Sequence, residues 1–255
     1  QDSEIQNILD EEYSDTSNFP DEVQYELDYA LRVTDPDGNQ VNYSKEMLQL
    51  YFRDQDPEFD LLFDAPEEGQ QYVDQYKANI LADGSTVVSE RVNFAPQPQS
   101  SMTVIDQHTG YVKALIGGRG EKTASLTLNR ATDTTRQPGS TFKILATYSA
   151  ALDAGGLTLA SVQDDAPYTY AGANGKSVNN YDRRYRGFTT LREAITDSIN
   201  IVTVKTLAQA GVSLGWQYVQ EYGFTTVDSR DMNEALALGG ITQGVSNLEL
   251  TAAYA

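Results

Sequence analysis

Apolar positions in the run STFKILATYSAALDAGG, residues 140–156, recur at Phe142, Leu145, Ala146, Ala150 and Leu152, the three-to-four spacing of one helix face. Pro138 and Gly139 interrupt the chain just upstream, so the pattern predicts a helix opening near Ser140. Before it, SMTVID and YVKALIGG are short apolar runs joined by QHTG, with Gly110 to supply the turn; they predict a β-hairpin. After it, helical spacing predicts elements at 190–197, 201–210, 213–222 and 246–255, the last opened by Ser246 and Glu249 in capping-box register. The intervening DDAPYTYAGANGKSVNNYDRRYRGF, rich in Gly, Asn and Tyr, reads as an ordered surface loop. Strands followed by runs of helices predict an α+β domain.

The first 98 residues have another character, polar, acidic and tyrosine-rich, with helices predicted at 21–33, 44–53 and 66–82. NFAPQPQSS, residues 93–101, reads as a linker. The chain is thereby divided into an accessory region, 1–98, and a main domain, 99–255. No internal repeat is evident.

Composition removes several functions. The 255 residues are 40% hydrophobic, enough for one large core and a smaller appendage. Eighteen basic against 37 acidic side chains give a formal charge of −19, the wrong sign for a nucleic-acid backbone or an anionic lipid surface, and nucleic-acid binding is discarded. The acidic runs DEEYSD, DPEFDLLFD and APEEG read as solvated faces. With no cysteine, disulfides and thiol catalysis are excluded. No apolar run approaches the ~20 residues that cross a bilayer. The opening QDSEIQN has no signal-peptide pattern and reads as the interior of something longer, with any export signal outside this sequence.

On a helix opening near Ser140, the i, i+3 spacing places Ser140 and Lys143 on one face, with the hydroxyl in the first turn where unpaired N–H groups collect. The only histidine, His108, falls in the predicted hairpin turn and reads as a surface residue, which counts against a Ser-His-Asp triad. One histidine and no cysteine also count against zinc. GGRGEKT lacks phosphate-loop spacing and sets Glu121 where a phosphate would be repelled. Lysine remains as a base, given a pKa lowered by burial or by a neighbouring positive charge. Ser-x-x-Lys alone is also satisfied by an N-cap serine and a solvated lysine. Ser198-Ile199-Asn200 could present a hydroxyl and an amide to a cleft; Ser177-Val178-Asn179 has the same spacing, and turn residues with local hydrogen bonds would satisfy either.

Taken together these stretches resemble the transpeptidase domain of class A penicillin-binding proteins, whose superfamily carries Ser-x-x-Lys and Ser-x-Asn elements. VIDQHTGYVKALIGGRG is similar to the family's opening hairpin, NRATDTTRQPGSTFK to its nucleophile segment, NNYDRRYRGFTTLREAITDSIN to its second active-site segment and ALGGITQGVSNLELTAAYA to the helical stretch that follows. They come in family order over about residues 99–255 and select 198–200 over 177–179.

The resemblance implies an antiparallel sheet flanked by helices, of the serine β-lactamase and transpeptidase type. It implies a D,D-transpeptidase in which Ser140 attacks a D-Ala-D-Ala stem peptide, its own N–H supplying half an oxyanion hole. Lys143 would be the base, Ser198 would pass the proton to the departing D-alanine, and Asn200 would bind the substrate backbone and help hold Lys143. The acyl group would pass to an amine of a neighbouring stem peptide, and a β-lactam antibiotic would be trapped at Ser140. No metal or organic cofactor is implied. The implied setting is the extracytoplasmic face of a bacterial membrane, held only by an anchor outside this sequence, with cell-wall synthesis or division proteins as further partners. The family's Lys-Thr/Ser-Gly motif is absent and expected beyond Ala255, so the domain is expected to be incomplete. A D,D-carboxypeptidase or β-lactamase-like hydrolase, and a non-catalytic penicillin-binding or sensor domain, are the alternative readings.

Overall fold

The structure is a computed structural model that describes residues 1–21, 23–120, 127–171 and 176–255. Parts of two sequence features, GGRGEKT at 117–123 and the surface loop at 164–188, lie outside the described residues. The chain divides into two units, one of Glu11–Ser100 and Gly118–Thr123, the other of Gln1–Asp10, Ser101–Gly117 and Ala124–Ala255, with helix α1 (Ser3–Ser14) running from one into the other.

In the first unit, β1 (Gln24–Thr34) is the central strand. Its first half pairs with β3 (Leu62–Phe63) and its second with β2 (Gln40–Ser44), while β4 (Thr86–Gln97) lies along its other side, all antiparallel. The helices α2 (Lys45–Arg53) and α3 (Pro66–Ile80) form where helices were predicted at 44–53 and 66–82. The helix predicted at 21–33 is instead β1, and the reason is periodicity: Leu27, Tyr29, Leu31 and Val33 alternate with polar residues and are all at most 2% exposed. A helix would scatter these four around its circumference. Full burial of one Leu or Val contributes about 1.5–3 kcal/mol, whereas propensity differences are under ~1 kcal/mol per residue, so the two-residue period wins. The segment read as a linker at 93–101 is strand as far as Gln97. Pro96 is tolerated there because, among the described residues, β4 pairs with β1 alone, so its other edge faces no strand that needs an N–H.

In the second unit, β5 (Met102–Asp106) and β6 (Tyr111–Ile116) form the predicted hairpin, with Gly110 at φ +71° accommodating the turn and His108 exposed on it. The Gln6 side chain bonds both ways with the backbone of Leu115, at 3.1 and 3.0 Å, and so extends the ladder by one amide. The chain then turns through a 3₁₀ segment, Gly139–Thr141, and a π-turn, Ile144–Tyr148, into α4 (Ser149–Asp153). Two small antiparallel ribbons follow: β7 (Val162–Asp165) pairs with β10 (Gly187–Thr190), and β8 (Tyr168–Thr169) with β9 (Ser177–Val178). The remaining α-helices among the described residues are α5 (Leu191–Thr196), α6 (Asn200–Ala210), α7 (Val212–Glu221) and α8 (Asn247–Tyr254), close to the four predicted ranges. The Ser246–Glu249 capping box is formed in both directions.

Phe142, Leu145 and Ala146 pack with Ile201, Val204, Leu207, Val219 and Leu236 in the core of this unit, whereas Leu152, predicted on the same face, is 36% exposed. A Cβ on Gly215 would come within 2.4 Å of the Ala146 carbonyl oxygen, so α7 packs on the π-turn at backbone contact. No helix among the described residues is long and apolar enough to cross a membrane.

Candidate active site

The nucleophile candidate is held by backbone contacts on either side. Arg136 exchanges two backbone hydrogen bonds with Val245, at 3.0 and 2.9 Å, and the Gln137 side chain bonds the N–H and carbonyl of Ile241. Gly139 adopts φ +57°, and a Cβ on Gly239 (φ +73°) would lie 2.5 Å from the Gly139 carbonyl oxygen, so two glycine backbones meet directly behind the turn. Tyr254 of α8 donates its hydroxyl to the Thr141 carbonyl. Ser140 sits on this turn with its residue exposed and no hydrogen bond from its hydroxyl to Lys143, Ser198 or Asn200.

Those other three residues are brought together. Lys143, one turn after Ser140 and 3% exposed, directs its Nζ at the Ser198 carbonyl (2.6 Å), the Ser198 Oγ (2.8 Å) and the Asn200 Oδ1 (2.6 Å). It forms no ion pair among the described residues. Burial therefore pulls its amine down from the ordinary 10.5 to about 8.

The backbone that presents Ser198 is unusual. Helix α5 ends with Ser198 N–H bonded to the Ile195 carbonyl (3.3 Å) and Ile199 N–H to the Ala194 carbonyl (2.9 Å), the paired bonds of a Schellman ending. The residue between such bonds takes a left-handed conformation and is usually glycine. Here it is serine at φ +53°, at a cost of about 1–2 kcal/mol. Ile199 and Ala194 offset this by burying their side chains together with Leu191 and Val202. A capping box between Thr190 and Glu193 fixes the other end of α5.

Sequence reasoning missed Asn180 and Asp165. Helix α6 has no cap from its own N-cap residue; the Asn180 Oδ1 accepts the Ile201 N–H from 3.1 Å instead. The Asn180 amide donates to both oxygens of the fully buried Asp165 (2.8 and 3.0 Å), and the Asp165 carboxylate also takes the Arg186 N–H (2.9 Å). The Asn200 amide donates to the Asn179 carbonyl at 2.8 Å, which orients its oxygen toward Lys143. An Asn-Asn pair in a turn-rich stretch was the available signal, but nothing local reveals a partner 21 residues away. Ser177 and Val178 of the rival triplet belong to β9, and Asn179 reaches the site only through its carbonyl. Among the described residues no group of His, Cys, Asp and Glu is arranged to hold a metal ion.

Residues 100–254 match the family model described as the penicillin binding protein transpeptidase domain. The chain is 45% identical to penicillin-binding protein 1A of Neisseria flavescens over 146 residues, 56% of this chain and 17% of that protein. It is 39% identical to penicillin-binding protein 1A of Clostridium tetani over 173 residues, 62% of this chain and 21% of that protein. The chain thus spans about a fifth of the length of these relatives. The crystal structure of penicillin-binding protein 1A from Haemophilus influenzae superposes with a TM-score of 0.55 at 29% identity, covering 65% of this chain and 24% of that one. The PonA1 protein of Mycobacterium tuberculosis, solved in complex with penicillin V, shares the fold at a TM-score of 0.50 and 21% identity over 62% of this chain and 44% of that one. A mixed helix-and-strand unit carrying a lysine buried against a Ser-x-Asn turn, and a family match over more than half of the residues, make this chain a member of the penicillin-binding protein transpeptidase family.

Proposed function

We propose that this chain carries the acyl-transfer site of a peptidoglycan D,D-transpeptidase, with Ser140 as nucleophile, Lys143 as base, Ser198 as proton carrier and Asn200 as holder of the lysine and of the substrate backbone. The observation that carries the reading is the Lys143 amine, buried, about 8 in pKa and bonded to both residues of the Ser-x-Asn turn. A charged amine has three N–H groups and meets three acceptors. A neutral amine has two N–H groups and one lone pair. The Ser198 carbonyl and the Asn200 Oδ1 can only accept, but the Ser198 hydroxyl can turn and donate. The network is therefore satisfied in both protonation states, and the exchange costs one hydroxyl rotation.

In the forward step the Ser198 hydroxyl turns away from the neutral Lys143, whose freed lone pair takes the Ser140 proton as the Ser140 oxygen bonds to the carbonyl carbon of the penultimate D-alanine. The proton then passes through Ser198 to the nitrogen of the terminal D-alanine, which departs as the C–N bond breaks. An amine from a second stem peptide reverses the sequence, forming the cross-link and releasing Ser140. A β-lactam opens its ring on Ser140 and leaves no departing group to make way for the acceptor. The setting proposed is the outer face of a bacterial membrane.

The test is intact-mass spectrometry after incubation with a penicillin. One adduct on the wild type, absent from Ser140→Ala, is expected; an adduct of equal yield on Ser140→Ala removes Ser140 as the nucleophile.

A further inference from the structure

Between Lys176 and Arg192 the chain holds five basic residues and a single acidic one, Asp182, although the whole sequence carries 18 basic and 37 acidic residues. Three of the five, Arg183, Arg184 and Arg186, sit in a loop that the buried pair Asp165 and Asn180 clamps at three points. The Asn180 amide also donates to the Arg184 carbonyl (2.8 Å), the Asp165 carboxylate takes the Arg186 N–H (2.9 Å), and the Arg183 N–H bonds the Asn180 carbonyl (3.2 Å). Arg183 is held at φ +58° in consequence, so the loop is a built conformation.

What the clamp displays is unusual for a solvated turn. Tyr181 is 99% exposed and Phe188 85%, and every residue from Tyr181 to Arg186 is exposed. Arg186 is committed to Asp197 and Asp182, whereas the guanidinium groups of Arg183 and Arg184 have no carboxylate partner among the described residues. The loop also walls a cavity of about 150 Å³ whose other side includes Asp197 and Ser198. Two arginines without a carboxylate partner among the described residues, the open rings of Tyr181 and Phe188, and a pocket wall shared with Ser198 all belong to this one loop.

The geometry points to a substrate-docking surface at Tyr181–Phe188 that receives the carboxylate-bearing part of a peptidoglycan stem peptide, with Arg183 and Arg184 as the charges that meet it. This rests on the acyl-transfer reading above, since that reading supplies the peptide. In a chain of net charge −19 a local positive patch is the part of the surface that favours an acidic peptide, and it would steer where that peptide lands. Each exposed charge pair is worth only a few-fold in affinity, and two together give about five- to tenfold.

The experiment measures affinity for a synthetic stem pentapeptide with free carboxylates and for the same peptide with every carboxylate amidated. The wild type is expected to prefer the acidic peptide about five- to tenfold, with the preference shrinking as salt is raised. The double variant Arg183→Gln/Arg184→Gln should lose the preference, and Arg183→Lys/Arg184→Lys should retain most of it. Equal affinity for the two peptides, no measurable binding of the acidic one, or a preference unchanged in the Gln variant overturns the inference. Penicillin labelling of Ser140 is read in parallel. Labelling without a charge preference removes the docking surface and leaves the reaction standing; a charge preference without labelling does the reverse.

Discussion

Two triplets of the same spacing, Ser177-Val178-Asn179 and Ser198-Ile199-Asn200, lie 21 residues apart and have opposite fates. The first enters a two-residue strand, where Val178 is buried, Ser177 is exposed and Asn179 offers only its carbonyl. The second straddles the end of α5 and the start of α6, where a left-handed serine turns its hydroxyl and its carbonyl onto one amine. Spacing is common to both; the backbone conformation at the serine separates them. A strand sends its successive side chains to opposite faces, whereas a Schellman ending followed at once by a helix folds three residues around a single point.

The largest effect should come from the group that only the second triplet holds. Lys143→Met keeps the length of the side chain but supplies neither base nor donor, and the second-order rate of penicillin adduct formation should fall by about 10³-fold or more, measured by intact mass over time. Ser198→Ala should lower that rate by about 10²- to 10³-fold, while Ser177→Ala should leave it within about twofold. Equal losses from the two serines would remove the distinction drawn here.

The pH dependence is expected to follow the buried amine. In the proposed role of base Lys143 acts in its neutral form, and with burial drawing its pKa to about 8 the rate should climb about tenfold per unit below pH 7 and level off above about 8. A rise that continues to pH 10 would assign the base to an amine in water.

The smallest effect is also the sharpest, because it has opposite signs at the two serines. Ser198→Gly and Ser198→Ala both lack the hydroxyl, but only alanine keeps the Cβ that the left-handed position resists; glycine should be the more stable of the two by about 1 kcal/mol. At Ser177, in strand β9, glycine should be the less stable by about 0.5–1 kcal/mol. Thermal or urea unfolding of the four variants measures both differences.

How much of this was legible in the sequence depends on how local the cause was. The helices at 44–53 and 66–82, the β5–β6 hairpin and the Ser246–Glu249 box announce themselves through residues three or four apart or through a turn glycine. Strand β1 was legible too, but in a period of two that a helical reading of 21–33 passed over; Leu27, Tyr29, Leu31 and Val33 mark it. Ser140, Lys143, Ser198 and Asn200 could be nominated from motif and order. The resemblance implied that Asn200 helps hold Lys143, but no local pattern shows it, since Lys143 meets Ser198 and Asn200 over 55 and 57 residues of chain. The Schellman ending at Ser198 was hidden because its usual marker, glycine, is missing. Asp165 and Asn180 were hidden because a buried carboxylate looks like any other aspartate until its partners are placed.

The meeting of Gly139 with Gly239 makes the position of Ser140 a question of clearance. The room at residue 239 is 0.5 Å less than any side chain tolerates, since the added carbon would stand 2.5 Å from the Gly139 oxygen where real contacts stay beyond 3.0 Å. A single methyl there would press as a wedge on the turn that bears Ser140, from a residue that makes no contact with the Lys143 amine. Gly239→Ala is therefore expected to slow penicillin adduct formation from a residue that bears no functional group at all.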